Sequence, residues 1–225
     1  MGERPPVPND RPRVSVITPT VGDSTNLRTR CIPSVIAQTY PNVEHIIVAD
    51  GPSDIEETNT PKRRVVHLGR NWHSFTRPAP SWGTMARLVA SGLARGRYIA
   101  YNDHDDVLQP GHIEKLVNLL ETTGSDWVYS QMAVLRRGQF MGQVIGDGKP
   151  RWRNISTQML LHRVELFNVA NWDPYCRDNA ATLPRVDRHL ATYGSDWDLV
   201  HRWLKSSATW AHLPEVTVLH HRDND

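Results

Sequence analysis

The chain of 225 residues is long enough for one domain with a sizeable core, and 39% of its residues are hydrophobic and 22% charged, as in globular proteins. Twenty-six basic against 24 acidic residues leave a net charge of +2, which argues against a dedicated nucleic-acid-binding protein because such proteins carry a basic excess. Two cysteines are too few for a disulfide framework, and no apolar run reaches the roughly 18–20 residues that span a bilayer. We therefore predict a soluble cytoplasmic protein.

Short β-rich runs alternate with helical periodicity through the first half of the chain. The predicted strands cover residues 14–17, 45–49, 65–68 and 98–101. The predicted helices cover residues 27–38, 84–95 and 113–121. Pro33 lies either in the first turn of the first helix or at a kink within it. This alternation predicts an α/β fold, with a mostly parallel sheet and helices on both of its faces.

The second half is less regular than the first. The predicted elements are strands at residues 127–130, 158–161 and 215–219 and a helix at residues 196–204. A long loop rich in proline and tryptophan is predicted over residues 69–83, between the strand at 65–68 and the helix at 84–95. Because no repeat or linker divides the chain, we predict a flexible tail over residues 1–11 and a single domain over residues 12–225.

Polar residues follow three of the predicted strands, where each strand ends. These residues are Thr18, Pro19 and Thr20, then Asp50, and then Asp103, His104, Asp105 and Asp106. Ligands of open α/β sheets bind in the crevice at the carboxyl ends of the strands. Turns also favour aspartate for conformational reasons, so the recurrence at successive strands is more informative than any single residue.

The acidic cluster has the spacing of a cation site. Asp103 and Asp105 flank one residue and Asp106 follows. Mg²⁺ and Mn²⁺ prefer carboxylate oxygens and usually combine one or two protein carboxylates with substrate phosphates. Such an ion can neutralise a departing diphosphate. The alternative is a solvated acidic turn that caps the helix beginning near His112.

Six segments resemble the motifs of family 2 glycosyltransferases and occur in that family's order. They are residues 14–20 (VSVITPT), 34–42 (SVIAQTYPN), 47–51 (IVADG), 96–106 (GRYIAYNDHDD), 155–163 (ISTQMLLHR) and 195–199 (SDWDL). The resemblance extends from about residue 12 to residue 204. It implies a single GT-A domain, a nucleotide-diphospho-sugar donor and usually inversion at the anomeric carbon. It also divides the domain into a donor half, residues 12–112, and an acceptor half, residues 113–225.

The resemblance implies a set of donor-binding residues. This set comprises Thr18, Pro19, Thr20, Asp50, Arg87, Asp103 and Arg222. Asp50 is expected to hold the base, and Arg222 is expected to pair with the diphosphate. Two alternatives stay open: Arg87 as an exposed residue of its helix, and Arg222 as a charged residue of the tail.

The resemblance also implies the metal ligands and the base. Asp103, Asp105 and His220 are expected to bind Mn²⁺ or Mg²⁺, with His221 as the alternative histidine. Asp196 is expected to be the catalytic base, because a placed carboxylate can take the proton of the attacking hydroxyl. Alternatively, Ser195 and Asp196 cap the helix that follows.

Some positions depart from the family pattern and keep other functions open. Ala49, Ser195 and Val21 stand where the family usually has an acidic residue, a glutamate and an aromatic residue. A catalytically inactive nucleotide-sugar-binding module is the main alternative. A nucleotidylyltransferase is disfavoured because residues 18–23 form no glycine-rich basic phosphate loop. The acceptor stays open between a small molecule, a glycan and a modified polymer, and a homo-oligomer is possible.

Overall fold

The computed structural model describes residues 11–22, 24–72, 83–173 and 195–222. Nearly all of the tail predicted over residues 1–11 lies outside them. Within the described residues the strands form one ten-stranded sheet, and no helix is both long and apolar enough to cross a membrane.

The elements are numbered here in chain order. The strands are β1 (Val14–Gly22), β2 (Val43–Ser53), β3 (Thr58–Asn59), β4 (Arg63–His67), β5 (Tyr98–Tyr101), β6 (Val107–Leu108), β7 (Trp127–Arg136), β8 (Gln139–Ile145), β9 (Leu160–Arg163) and β10 (Trp210–His221). The helices are α1 (Ile32–Ile36), α2 (Thr84–Leu93), α3 (His112–Thr123) and α4 (Ser195–Lys205). A π-helical turn, Leu27–Cys31, leads into α1, and 3₁₀ turns at Thr157–Met159 and Val164–Asn168 flank β9.

The sheet combines a parallel region with an antiparallel one. Its strand order is β3-β4-β2-β1-β5-β9-β7-β10-β6, and β8 pairs with β7. Strands β4, β2, β1 and β5 run parallel to one another. Strand β9 runs antiparallel between β5 and β7, whereas β10 is parallel to β7. The predicted α/β class is confirmed, and the parallel strands lie where the sequence alternates between strand and helix.

The parallel strands are buried because helices cover the sheet. Strand β5 is buried along its whole length, and β1 is buried from Val14 to Thr20. Parallel strands covered on both faces are nearly continuous in apolar residues, as in this part of the sequence. Helix α2 packs against β1 and β2. The resulting core fixes the carboxyl ends of β1, β2 and β5 at one edge of the sheet.

Several predicted boundaries differ from the structure. Strand β1 continues to Gly22, and β10 extends in both directions beyond residues 215–219. Strand β8 was not predicted because nearly all of its residues are exposed, which removes the alternation that marks a half-buried strand. Pro33 lies in the first turn of α1, directly after the π-helical turn that leads into this helix.

Candidate active site

The end of β2 is held by the segment that follows β4. Asp50 is fully buried, and its Oδ1 accepts a hydrogen bond of 2.8 Å from the backbone N–H of Trp72. Gly51 has a φ of +99°, and a Cβ there would lie 2.8 Å from the Asn71 Cβ. Glycine is therefore required for this close approach. Asp50 consequently has a fixed position near the carboxyl end of β2, which continues to Ser53 instead of ending before Asp50 as predicted.

The three residues at 18–20 belong to β1 and differ in their surroundings. The Thr18 hydroxyl is fully buried, 2.9 Å from His45 Nε2. It stabilises the interior, which corrects the donor contact predicted for this side chain. Pro19 packs on Gly83, where an added Cβ would lie 2.8 Å from the Pro19 Cβ. The Thr20 hydroxyl is buried and has no hydrogen-bond partner among the described residues, so it is still available to a ligand.

Arg87 and Asp103 form a buried ion pair. Arg87 is 3% exposed, and its Nη2 donates a hydrogen bond of 2.6 Å to Asp103 Oδ1. Its guanidinium also lies over the Trp172 ring, 5.1 Å from the centroid. The alternative of Arg87 as an exposed helix residue is therefore wrong. Burial raises the pKa of Asp103, and the Arg87 cation opposes that rise.

Asp106 fixes the orientation of His220. The Asp106 carboxylate is fully buried and lies 2.9 and 3.0 Å from His220 Nδ1. It also accepts hydrogen bonds from the His221 backbone N–H and from the Gln158 amide. Burial lowers the pKa of His220, but the hydrogen bond and the charge of Asp106 outweigh burial and raise it. A carboxylate on one ring nitrogen leaves the other nitrogen for a metal ion, as in many metal sites.

The Asp105 carboxylate is available to bind a metal ion. No side chain among the described residues donates a hydrogen bond to its carboxylate, which is partly buried. Burial, followed by the charge of Asp106, raises the pKa of Asp105. The cluster does not cap α3, because the N-cap of that helix is Gly111 and no side chain bonds there. The alternative of a capping turn is therefore wrong.

The donor set fits a hard cation that also binds phosphate. A carboxylate and an imidazole are acceptable ligands of Mn²⁺, and the carboxylate also suits Mg²⁺. Among the residues that the structure describes, no group of three or more His, Cys, Asp or Glu side chains could hold an ion. Asp105 and His220 would therefore need further ligands, such as the phosphate oxygens with which Mg²⁺ usually completes its shell.

Asp196 lies in the first turn of α4 and reaches across to the turn before β9. Its Oδ2 accepts a hydrogen bond of 3.2 Å from the Thr157 backbone N–H. The Ser156 hydroxyl oxygen lies 3.4 Å away but donates its proton to Gln158 Oε1 at 2.5 Å. Asp198, in the same turn, instead pairs with Arg202 at 2.7 Å. The Ser195 side chain lies outside the described part of the chain, so capping by Ser195 stays open. The turn before β9 therefore fixes the carboxylate that α4 carries.

Three of the predicted site residues line one cavity of about 470 Å³. They are Asp196, His220 and Arg222, which the chain supplies from α4 and from the end of β10. Trp152, Arg153 and Trp197 also line it. The volume is in the range of small-molecule sites. Reactive and cationic side chains therefore share a cavity large enough for a sugar.

Sequence reasoning missed the residues that support the site. Asp106 was assigned only to the acidic cluster, and Thr157 and Gln158 were assigned only to a strand. Their partners are 39 to 115 positions away in the sequence, so no local pattern connects them. The predicted loop over residues 69–83 lies largely outside the described residues, as does Trp82, but Trp72 lies beside Asp50.

The model of the Glycosyl transferase family 2 matches residues 15–168 of the chain. The chain belongs to this family. A glycosyltransferase of Rickettsia felis is 32% identical over 109 residues, which cover 48% of this chain and 17% of that protein. A glycosyltransferase of Methanocaldococcus jannaschii is 30% identical over 131 residues, covering 53% and 43%. The chain therefore spans less than half the length of these relatives.

The family fold is also found in solved structures. A crystal structure of S. aureus TarS has a TM-score of 0.65 at 17% identity, covering 93% of this chain and 36% of that one. Residues 1–349 of TarS in complex with UDP give a TM-score of 0.63 at 18% identity, covering 93% and 60%. The predicted GT-A-type fold is confirmed.

Proposed function

We propose that the protein is a metal-dependent, inverting glycosyltransferase that moves a sugar from a nucleotide-diphosphate donor to an acceptor hydroxyl, with Asp196 as base. One observation carries this proposal. On a glycosyltransferase fold, the Asp196 carboxylate, which the turn before β9 holds, shares a cavity with a histidine ring and an arginine. These are the groups that activation of a hydroxyl and departure of a diphosphate require.

The donor binds along the carboxyl ends of β1, β2 and β5. Asp50 and the buried Thr20 hydroxyl contact the nucleoside, and Pro19 supports that pocket. Asp103 keeps one oxygen on Arg87, and its other oxygen faces the donor. Arg222 pairs with the diphosphate, for which a guanidinium offers two parallel N–H groups. The nucleotide is proposed to be UDP, because TarS was solved in complexes with UDP and UDP-GlcNAc.

Asp105 and His220, with Asp103 beside them, would hold Mn²⁺ or Mg²⁺. When bound, the ion neutralises the charge that develops on the departing diphosphate. Asp106 keeps the His220 ring in one orientation, because it bonds Nδ1. Asp106 is therefore a positioning residue, whereas Asp105 and His220 contact the cation.

The transfer is a single displacement. The acceptor oxygen forms a bond to the anomeric carbon on the face opposite the diphosphate, and its proton passes to an Asp196 oxygen. The bond between the anomeric carbon and the diphosphate oxygen breaks, and its electron pair leaves with the nucleoside diphosphate. Attack from the opposite face inverts the configuration. The Thr157 N–H orients the carboxylate during this step.

Paired substitutions at Asp196 and Asp198 test the base. The Asp196→Asn variant should lower kcat for sugar transfer by about 10²–10⁴-fold, because the amide cannot accept the proton. Binding of UDP-sugar, measured by calorimetry, should be unchanged. Asp198→Asn removes the same charge in the same turn and should retain most of the activity.

Equal activity of the two variants would contradict the assignment of Asp196. If the unmodified protein binds UDP-sugar but transfers no sugar to any acceptor and does not hydrolyse the donor, the inactive binding module would be favoured instead.

A further inference from the structure

The cavity has a second group of residues that the proposed transfer does not use. Asp196 and His220 provide the reacting end. Trp152, Arg153 and Trp197 contribute two indoles and a cation to the same lining. We call these three residues the Trp-Arg wall. Neither the donor nor the metal, as proposed above, needs it.

Arg153 is held in an unusual conformation. Its φ is +64°, in the left-handed region that residues other than glycine rarely adopt. The neighbouring Asn154 is buried and fixed, because it accepts a hydrogen bond of 2.9 Å from the Gly146 N–H and donates to Asp147 and to the Lys149 carbonyl. Strained residues of this kind persist only where their surroundings impose the conformation, and they concentrate at ligand sites.

The Arg153 guanidinium lies over an indole and pairs with no carboxylate in the part of the chain that the structure describes. Its central carbon is 4.3 Å from the Trp152 ring centroid. No ion pair joins Arg153 to an acidic side chain of the described residues, whereas Arg151 pairs with Asp147 at 2.5 Å. A guanidinium that stacks on an aromatic ring keeps its N–H edge for planar anions such as carboxylate and phosphate. The charge of Arg153 is therefore available to a ligand in the cavity.

The indoles suit the apolar face of a sugar ring. Trp197 is stacked on His201 at 5.7 Å, one helical turn away, and Trp152 is held by Arg153. Both rings are therefore preoriented, and both are only partly buried. Rigid aromatic rings supply contact area at low cost in conformational entropy.

We propose that the Trp-Arg wall binds an anionic saccharide as the acceptor, with the sugar ring on the indoles of Trp152 and Trp197 and its carboxylate or phosphate on Arg153. This inference rests on the proposed function, because it takes Asp196 as the base for the acceptor hydroxyl. It assigns Arg153 to the acceptor and Arg222 to the donor, so the two arginines should affect different substrates.

Calorimetric titration with matched probes tests the proposal. The probes are 4-nitrophenyl β-D-glucoside, the corresponding glucuronide and the corresponding glucoside 6-phosphate, which differ only at carbon 6. An anionic probe should bind the full chain about 10- to 100-fold more tightly than the neutral one, as a charge-assisted hydrogen bond provides. The two anionic probes distinguish a carboxylate from a phosphate as the preferred group.

Arg153→Gln should abolish the preference for the anionic probe without changing the affinity for UDP-sugar. Lys149→Gln is the matched control, because it removes a positive charge from the same loop at an exposed side chain outside the cavity lining. It should leave the preference intact. Equal binding of all three probes, no saturable binding of either anionic probe, or equal effects of the two variants would overturn the proposal. Failure of the proposed function would appear separately, as loss of UDP-sugar binding by the unmodified protein.

Discussion

The donor half and the acceptor half stabilise their buried polar groups in different ways. In the donor half, Glu44 accepts hydrogen bonds from the Ser15 hydroxyl at 2.6 Å and from Arg64 Nη2 at 2.9 Å, so a buried ion pair joins the parallel strands. In the acceptor half, the buried contacts around Thr217 are neutral. The Thr217 hydroxyl donates to Ser130 at 2.6 Å and lies 2.7 Å from the His112 ring.

The difference shows where the site is assembled. The donor half forms the Glu44–Arg64 and Arg87–Asp103 pairs among its own residues. The neutral contacts of the acceptor half reach back to the donor half, to His112 and Tyr101. The Asp106–His220 pair also crosses between the halves. The site is therefore a product of their junction.

Breaking the Glu44–Arg64 pair should have the largest effect on stability. Glu44→Ala leaves the nearly buried Arg64 without its carboxylate, and loss of one partner of a buried pair costs about 3–5 kcal/mol. Urea unfolding measures this cost. Glu215→Ala breaks the exposed pair with Lys115 and should cost much less, because exposed pairs contribute little. Equal losses in the two variants would contradict the special role of the buried pair.

Asp106→Asn should weaken the metal site without removing a ligand. The amide replaces a carboxylate oxygen that orients His220, and loss of such a supporting group costs about 10- to 100-fold in metal affinity. The Mn²⁺ concentration for half-maximal transfer should rise by that factor. Asp126→Asn is the control, because Asp126 accepts hydrogen bonds from Thr209 at an exposed position. An unchanged Mn²⁺ requirement in Asp106→Asn would contradict the role of Asp106.

Acidification should destabilise the junction through its buried histidines. Burial lowers the pKa of His112 to about 3 and that of His162 to about 4, whereas histidine in an unfolded chain titrates near 6.5. As pH falls below about 6.5, the unfolded chain binds protons that the folded protein excludes, so stability is lost until the folded pKa is reached. Between pH 7 and 5.5 each histidine should cost about 1 kcal/mol.

Urea unfolding at both pH values checks this expectation. His112→Gln should lower overall stability but reduce the loss between pH 7 and pH 5.5 by about 1 kcal/mol. A loss equal to that of the unmodified protein would show that His112 is not buried in its neutral form.

The donor half was largely predictable because burial on both faces leaves a continuous apolar signal. Strand β5 has the predicted bounds, whereas β2 continues past Asp50 to Ser53. The wrong predictions concerned side chains whose position depends on tertiary contacts, which a local sequence pattern does not show. Thr18 follows an apolar run, yet its hydroxyl bonds His45 inside the fold. The alternative of an exposed Arg87 is also wrong, because this side chain is buried and bonds Asp103.

The acceptor half was harder to predict because one of its strands does not alternate between buried and exposed residues, which is the pattern that marks a half-buried strand. Strand β8 is exposed nearly throughout and shows no alternation. Gln158 was assigned to a strand, but it lies in a 3₁₀ turn where its amide bonds Asp106. The Trp-Arg wall depends on the backbone conformation of Arg153, which no sequence motif indicated. Most of the features that the sequence did not predict therefore depend on contacts between residues far apart in the chain.

The most direct test of the account is thermal unfolding with UDP-, GDP- and dTDP-sugars, with Mn²⁺ or with EDTA. We predict that one nucleotide class, UDP, stabilises the protein only when Mn²⁺ is present. At about 100 times its dissociation constant the sugar nucleotide should add about 2.7 kcal/mol, a shift of a few degrees. Equal stabilisation in EDTA would contradict the metal site, and no stabilisation by any sugar nucleotide would contradict the donor site itself.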